Sequence, residues 1–229
     1  MKKVLALVMI AGLALLATSC AKKQETAAAK TLTKETVKVG FVDIGTINDE
    51  GYTQAHDQGR LALNEMGINT AYIEHVPENA DCEKAIRDLI DQGCNVIYTN
   101  SFGYMDWTIK VAADHPEVYF GHCSGYKRAA NVSTYFGKVF QALYRSGIAA
   151  GLKSKANKIG YVAAMPIPEV IRGINAFTLG VQSVNPAASV EVIWTNTWFD
   201  PAVEKQAALE LLNKGCDVMS QHQDTTAPQ

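Results

Sequence analysis

A long internal repeat constrains this chain more than any other feature. Lys38-Val39-Gly40-Phe41-Val42 returns as Lys158-Ile159-Gly160-Tyr161-Val162, and Gly93-Cys94-Asn95-Val96 as Gly215-Cys216-Asp217-Val218, at offsets of 120 and 122 residues. Self-similarity over so long a period marks a duplicated structural unit. In the first copy Ala55, Gly59, Ala62, Leu63 and Met66 share one face of a helix that starts after Gly51, and residues 68–76 follow as a strand. Cys82, Ala85, Ile86, Leu89 and Ile90 then recur at helical spacing up to Gly93. A third strand at 96–99, a helix at 107–115 stopped by Pro116, and a fourth strand at 118–122 complete the first half. The second half repeats the order: helix 139–152, strand 159–163, helix 169–184, strand 190–195, helix 202–213 and strand 217–220. Short strands alternating with helices of this length imply a parallel sheet with helices on both faces. The expected fold is therefore α/β, with two similar lobes of parallel sheet flanked by helices, at 37–131 and 132–229. The first copy continues past its third strand with a helix and a strand that have no counterpart after residue 220. The sequence accordingly reads as a fragment whose second lobe is incomplete, with an unprotected sheet edge that favours aggregation.

The amino terminus carries an address. Lys2 and Lys3 precede an uncharged run at 4–17, and Ala17, Thr18 and Ser19 lead to Cys20. A basic start, a short apolar run and a small-residue exit describe an export signal, too short for a comfortable membrane span of about 20 residues. Leu16-Ala17-Thr18-Ser19-Cys20 resembles the bacterial lipobox, which implies cleavage before Cys20 and lipidation of its sulfur. The expectation is a signal peptide at 1–20, a flexible tether at 21–36, and a protein held outside the cytoplasm on a membrane.

Charge and cysteines narrow the partners. Residues 37–229 hold 15 basic and 21 acidic side chains, which argues against nucleic acid. Cys82, Cys94, Cys123 and Cys216 form no CxxC pair and no metal-like spacing, so they read as buried free thiols. No cofactor or metal motif is present. The five histidines are scattered, and HExxH, GxSxG and P-loop patterns are absent, so nothing in the spacing assembles a catalytic group. Of these histidines only His222 is expected near a ligand.

Ligands of open α/β sheets bind beyond the carboxyl ends of the strands, which for two facing lobes means one shared cleft. The loops there are 43–59, 101–107, 165–173, 196–201 and 222–228. They carry the aromatic residues Tyr52, Phe102, Tyr104 and Trp198, suited to stacking on a planar ligand, and the carboxylates Asp43, Glu169 and Asp224, suited to accept from hydroxyl or N–H groups. Asp49, Asp57 and Asp200 read instead as helix caps or solvated residues.

The same loops carry a resemblance. GTINDEGYTQAHDQGR, SFGYM, PIPEVIRGINAFTLGVQSVNP and NTWFDP resemble the basic membrane protein family of lipoproteins, substrate-binding components of ABC importers for purine nucleosides or nucleobases. The resemblance runs over residues 37–228. It implies the type I periplasmic binding protein fold, a purine ligand, and ABC permease subunits as partners. It also implies that Asp43 binds ligand, that Tyr52 stacks on the base, and that Trp198 covers the opposite face. Thr53 stands where the family often has Asn beside the first aromatic, and Asp224 falls near its second-lobe polar contacts. Two other readings remain open: a sugar receptor of the same fold, and an extracytoplasmic enzyme or adhesin on this scaffold.

Overall fold

The computed structural model describes residues 31–229. The expected leader, Cys20 and the tether as far as residue 30 lie outside the described residues. The folded part begins slightly before the expected boundary, because Thr36 is already tied in: its carbonyl accepts from Asn95 Nδ2 at 2.8 Å.

Two parallel sheets follow in order. The first contains β1 (Lys38–Val42), β2 (Asn69–Ile73), β3 (Val96–Thr99), β4 (Tyr119–Cys123) and β5 (Val132–Tyr135), arranged β2-β1-β3-β4-β5. The helices α1 (Tyr52–Glu65), α2 (Ala80–Asp91) and α3 (Met105–Asp114) connect its first four strands. The second sheet has the order β7-β6-β8, from β6 (Lys158–Ala163), β7 (Ser189–Trp194) and β8 (Val218–His222). Its helices are α4 (Val139–Lys153), α5 (Pro168–Val184) and α6 (Pro201–Asn213). Every pairing between these strands is parallel. β5 corrects the expected division: residues 132–135, assigned from sequence to the second lobe, pair with β4 of the first sheet. The chain therefore crosses between the sheets after Tyr135.

The repeat has a physical cause. Gly93 and Gly215 sit just past the ends of α2 and α6 at φ 90° and 89°, a left-handed conformation that favours glycine. The cysteine after each is buried, at 2% and 4% exposure, and anchors the turn into the core. The next residue is a polar staple. Asn95 Oδ1 accepts from Lys38 N at 3.0 Å, while the Asp217 carboxylate accepts from Ser154 Oγ, Lys155 N and Ala156 N at 2.6, 2.6 and 2.8 Å. One solution for turning a helix into a parallel strand is thus used twice.

Helix starts follow local chemistry as well. Asn79 Oδ1 accepts from Asp81 N at 2.7 Å to open α2. Asp200 Oδ1 accepts from Ala202 N and Val203 N to open α6, with Pro201 in the first turn. Asp49 caps α1 through Thr53 N and Gln54 N at 2.8 and 2.9 Å. Asp57 neither caps nor faces water, since it is buried and paired with Arg60 at 2.5 Å. Cys82, Cys94, Cys123 and Cys216 are free and buried. Among the described residues no helix is long and apolar enough to cross a membrane.

Candidate functional site

The carboxyl ends of both sheets border one cavity of about 440 Å³, within the usual range for small-molecule sites. Its floor is organised by Asn100, which follows β3 and is 2% exposed. Asn100 Oδ1 accepts from Ile44 N at 3.0 Å, and its Nδ2 donates to Asp43 Oδ1 at 2.8 Å, so one side chain ties the ends of β1 and β3. The Asn100 carbonyl accepts from the Tyr52 hydroxyl. Tyr52 opens α1, lines the cavity, and packs against His56 with ring centroids 4.5 Å apart. Burial drives the Tyr52 hydroxyl well above its ordinary pKa, so it stays a neutral donor.

Phe102 and Trp198 supply further aromatic surface. Phe102 lies in a single 3-10 turn, Phe102–Tyr104, that links β3 to α3. Trp198 comes from the loop between β7 and α6, its ring 6.2 Å from that of His222. Two carboxyl groups face the same space. Glu169, in the first turn of α5, accepts from Ser124 Oγ of the loop after β4, and burial pushes its pKa up. Asp224, just past β8, is 8% exposed, and no hydrogen bond to its carboxyl oxygens occurs among the described residues. Burial first, then the charges of Asp49, Glu204, Glu78 and Glu169, drive it well above the ordinary carboxylate range. Among the described residues neither lysine nor arginine lines the cavity, and burial lowers the pKa of both His56 and His222, the latter to about 4. Such a wall disfavours anions. It suits an uncharged ligand with a flat face and several hydrogen-bonding groups.

Five of the eight expected ligand residues line the cavity: Tyr52, Phe102, Glu169, Trp198 and Asp224. The other three do not. Asp43 lies one step behind Asn100, at 2% exposure. Thr53 is fully buried, and its Oγ1 accepts from Gly45 N at 3.1 Å, which shapes the loop before α1. Tyr104 corrects the reading of a ring left on a wet loop. The 3-10 turn rotates it into the first core, where its hydroxyl donates to the Val76 carbonyl.

Sequence reasoning named the loops that carry His56 and Gln223 without singling those residues out as ligand contacts, and missed Cys123, Ser124, Tyr135 and Gln221 at the cavity. Cys123 ends β4, Ser124 follows it and Tyr135 ends β5, so the rule that selected the loops after β1 and β3 reaches them once those strands are included. His222 is at the cavity as expected. Gln223 Nε2 donates to Thr195 Oγ1 at 2.7 Å, and its Oε1 and His222 Nδ1 are buried polar atoms without a partner among the described residues.

This arrangement agrees with relationships across the sequence. The Bmp profile, described as ABC transporter substrate-binding protein PnrA-like, matches residues 36–228. The chain belongs to the Bmp family. A purine-binding protein of Brucella abortus is 46% identical over 197 residues, covering 85% of this chain and 56% of the relative. A protein of Haloferax volcanii, named provisionally as an ABC transporter glucose-binding protein, is 43% identical over 195 residues, covering 84% of this chain and 50% of the relative. The chain thus spans about half the length of these curated relatives. In three dimensions it resembles an ABC transporter solute-binding protein from Aeropyrum pernix, with a TM-score of 0.73 and 24% identity over 83% of this chain and 56% of that one. The Bmp family is one of solute-binding proteins, and the paired parallel sheets are the fold of those transporter components.

Proposed function

We propose that this chain forms the ligand-binding region of a lipid-anchored, extracytoplasmic solute-binding protein that delivers a purine nucleoside or nucleobase to an ABC permease. The observation that carries this reading is the cavity itself: Tyr52, Phe102 and Trp198 supply flat surfaces, Glu169 and Asp224 supply hydrogen-bonding carboxyl groups, and among the described residues no lysine or arginine lines the walls. Aromatic faces give affinity, and the carboxyl groups give orientation. Asp43, Thr53 and Tyr104 support this surface from behind. Binding, not bond breaking, is the function of such a site, and family membership favours it over an enzyme or an adhesin. The name of the Haloferax relative supports a second reading, in which the ligand is a sugar.

Calorimetric titration of the full chain with adenosine, inosine, guanosine, adenine, ribose and glucose separates these readings. The expected result is saturable binding of one purine, weakened roughly 10- to 100-fold in Trp198→Ala. Binding of ribose or glucose without any purine would replace the purine by a sugar. Anchoring is tested separately. In a bacterial host the wild-type chain is expected in the membrane fraction carrying acyl chains on Cys20, and Cys20→Ser is expected to release it; equal membrane retention of both would reject the lipid anchor.

A further inference from the structure

One carboxylate outside the cavity holds two of its aromatic walls. Glu78 follows β2 in the first lobe and is absent from the cavity lining. Its Oε1 accepts from Ser101 Oγ at 2.5 Å and from Gly103 N at 2.7 Å, the two residues that flank Phe102. Its Oε2 accepts from the indole Nε1–H of Trp198 at 3.1 Å, and Trp198 belongs to the second lobe. Gly103 is required for this approach, because a Cβ there would lie 2.5 Å from Glu78 Cδ. Trp198 is in turn fixed to the neighbouring binding loop, since its carbonyl accepts from Asp224 N at 3.2 Å.

We propose that Glu78 is the latch of the closed cavity, a positioning residue that registers Phe102 of one lobe against Trp198 of the other and so sets how long a ligand is retained. This rests on the reading that the cavity takes a ligand between its lobes. The chemistry admits no simple substitute. An ionised carboxylate offers acceptors on both oxygens, and all three partners are donors. Glutamine has one acceptor oxygen, so its amide group must oppose either the indole N–H or the Gly103 N–H, neither of which can accept. Opening the lobes separates Trp198 from Glu78 while Ser101 and Gly103 stay with it, so the indole bond belongs to the closed form alone. Loss of that bond therefore falls on the dissociation rate.

The test is a double-mutant cycle of Glu78→Gln and Trp198→Phe in the full chain, read by stopped-flow release of adenosine, inosine and guanosine. Release is expected to be roughly tenfold faster in Glu78→Gln, and Trp198→Phe is expected to add little in that background. Gly103→Ala reaches the same latch from its other side and is expected to accelerate release as well. If the wild type binds a purine and Glu78→Gln releases it at the wild-type rate, the latch is wrong and the purine reading stands. If the wild type binds none of the three, the purine-nucleoside reading falls. The latch is then decided by the Trp198 indole proton in the ligand-free protein, assigned by its loss in Trp198→Phe. Protection from solvent exchange that disappears in Glu78→Gln supports it, and identical exchange in both overturns it.

Discussion

Gly180→Ala is expected to destabilise the fold by about 2 to 3 kcal/mol, although alanine is the better helix former. α4 and α5 run side by side in the same direction, with Leu143 near Gly173, Gly147 against Phe177 and Gly151 against Val181. A Cβ on Gly180 would lie 2.0 Å from the Tyr144 carbonyl oxygen, and one on Gly147 would lie 2.0 Å from that of Phe177. The obstacle in each case is the backbone of the neighbouring helix, which cannot rotate aside as a side chain can. The axes would have to separate by about an ångström, forfeiting dispersion contacts along the whole crossing. Propensity returns about 1 kcal/mol to the alanine variant, too little to compensate. Gly59 supplies the internal control. It lies in the middle of α1 with nothing within 4 Å of its missing Cβ, so Gly59→Ala is expected to stabilise by about 0.4 to 1 kcal/mol. Thermal unfolding distinguishes the two: a lowered midpoint for Gly180→Ala beside a raised one for Gly59→Ala. A raised midpoint for both would show that the helices pack less closely than described. The crossing also matters to the site. Val139 and Leu143 of α4 and Glu169 of α5 line the cavity, so separating the helices moves its wall.

The architecture was legible because it is written twice. The Gly-Cys-polar-Val marks are helix ends and strand entries, and each element predicted between them is present within a few residues of its expected bounds. β5 was not legible. Val132-Ser133-Thr134-Tyr135 is four residues long, and its membership of the first sheet is settled by pairing with Phe120 through Cys123, a tertiary fact. The site was legible to the degree that strand-end position determines it. Tyr52, Trp198 and Asp224 stand at such ends and reach the cavity. Tyr104 also follows a strand end, but its hydroxyl finds the Val76 carbonyl 28 residues away, and no local pattern announces that partner. Thr53 and Asp43 fail for a related reason. Buried polar groups close to a cavity floor are hydrogen-bonded within the protein, and sequence spacing does not separate them from those that face the cavity. Glu78 shows the converse, a residue outside every expected loop that touches two of the cavity's walls.

Asp43→Asn is expected to remove a pH dependence of stability worth about 2 to 4 kcal/mol. Asp43 is 2% exposed, and burial, followed by the neighbouring charge of Asp57 and opposed by Arg60, raises its carboxyl to about 7. The unfolded chain holds this carboxyl near an ordinary value of about 3.9. Between those values the folded state binds more protons than the unfolded one, so the Asp43 contribution falls as pH rises through that window and is fully lost above it. His122 and His222 act in the opposite sense. Burial lowers both to about 4, so each destabilises the fold as pH drops below its unfolded value, which partly conceals the Asp43 effect in the wild type alone. The difference between wild type and Asp43→Asn cancels those shared histidines. Asparagine keeps an oxygen for Asn100 Nδ2, the donor that Asp43 Oδ1 accepts at 2.8 Å, so the floor of the cavity retains its tie. Urea unfolding of both proteins from pH 4 to pH 8.5 provides the measurement. The variant is expected to gain on the wild type progressively between about pH 4 and pH 7 and to level off above. Parallel curves would mean that Asp43 ionises in the fold as readily as in water, and would overturn the raised value.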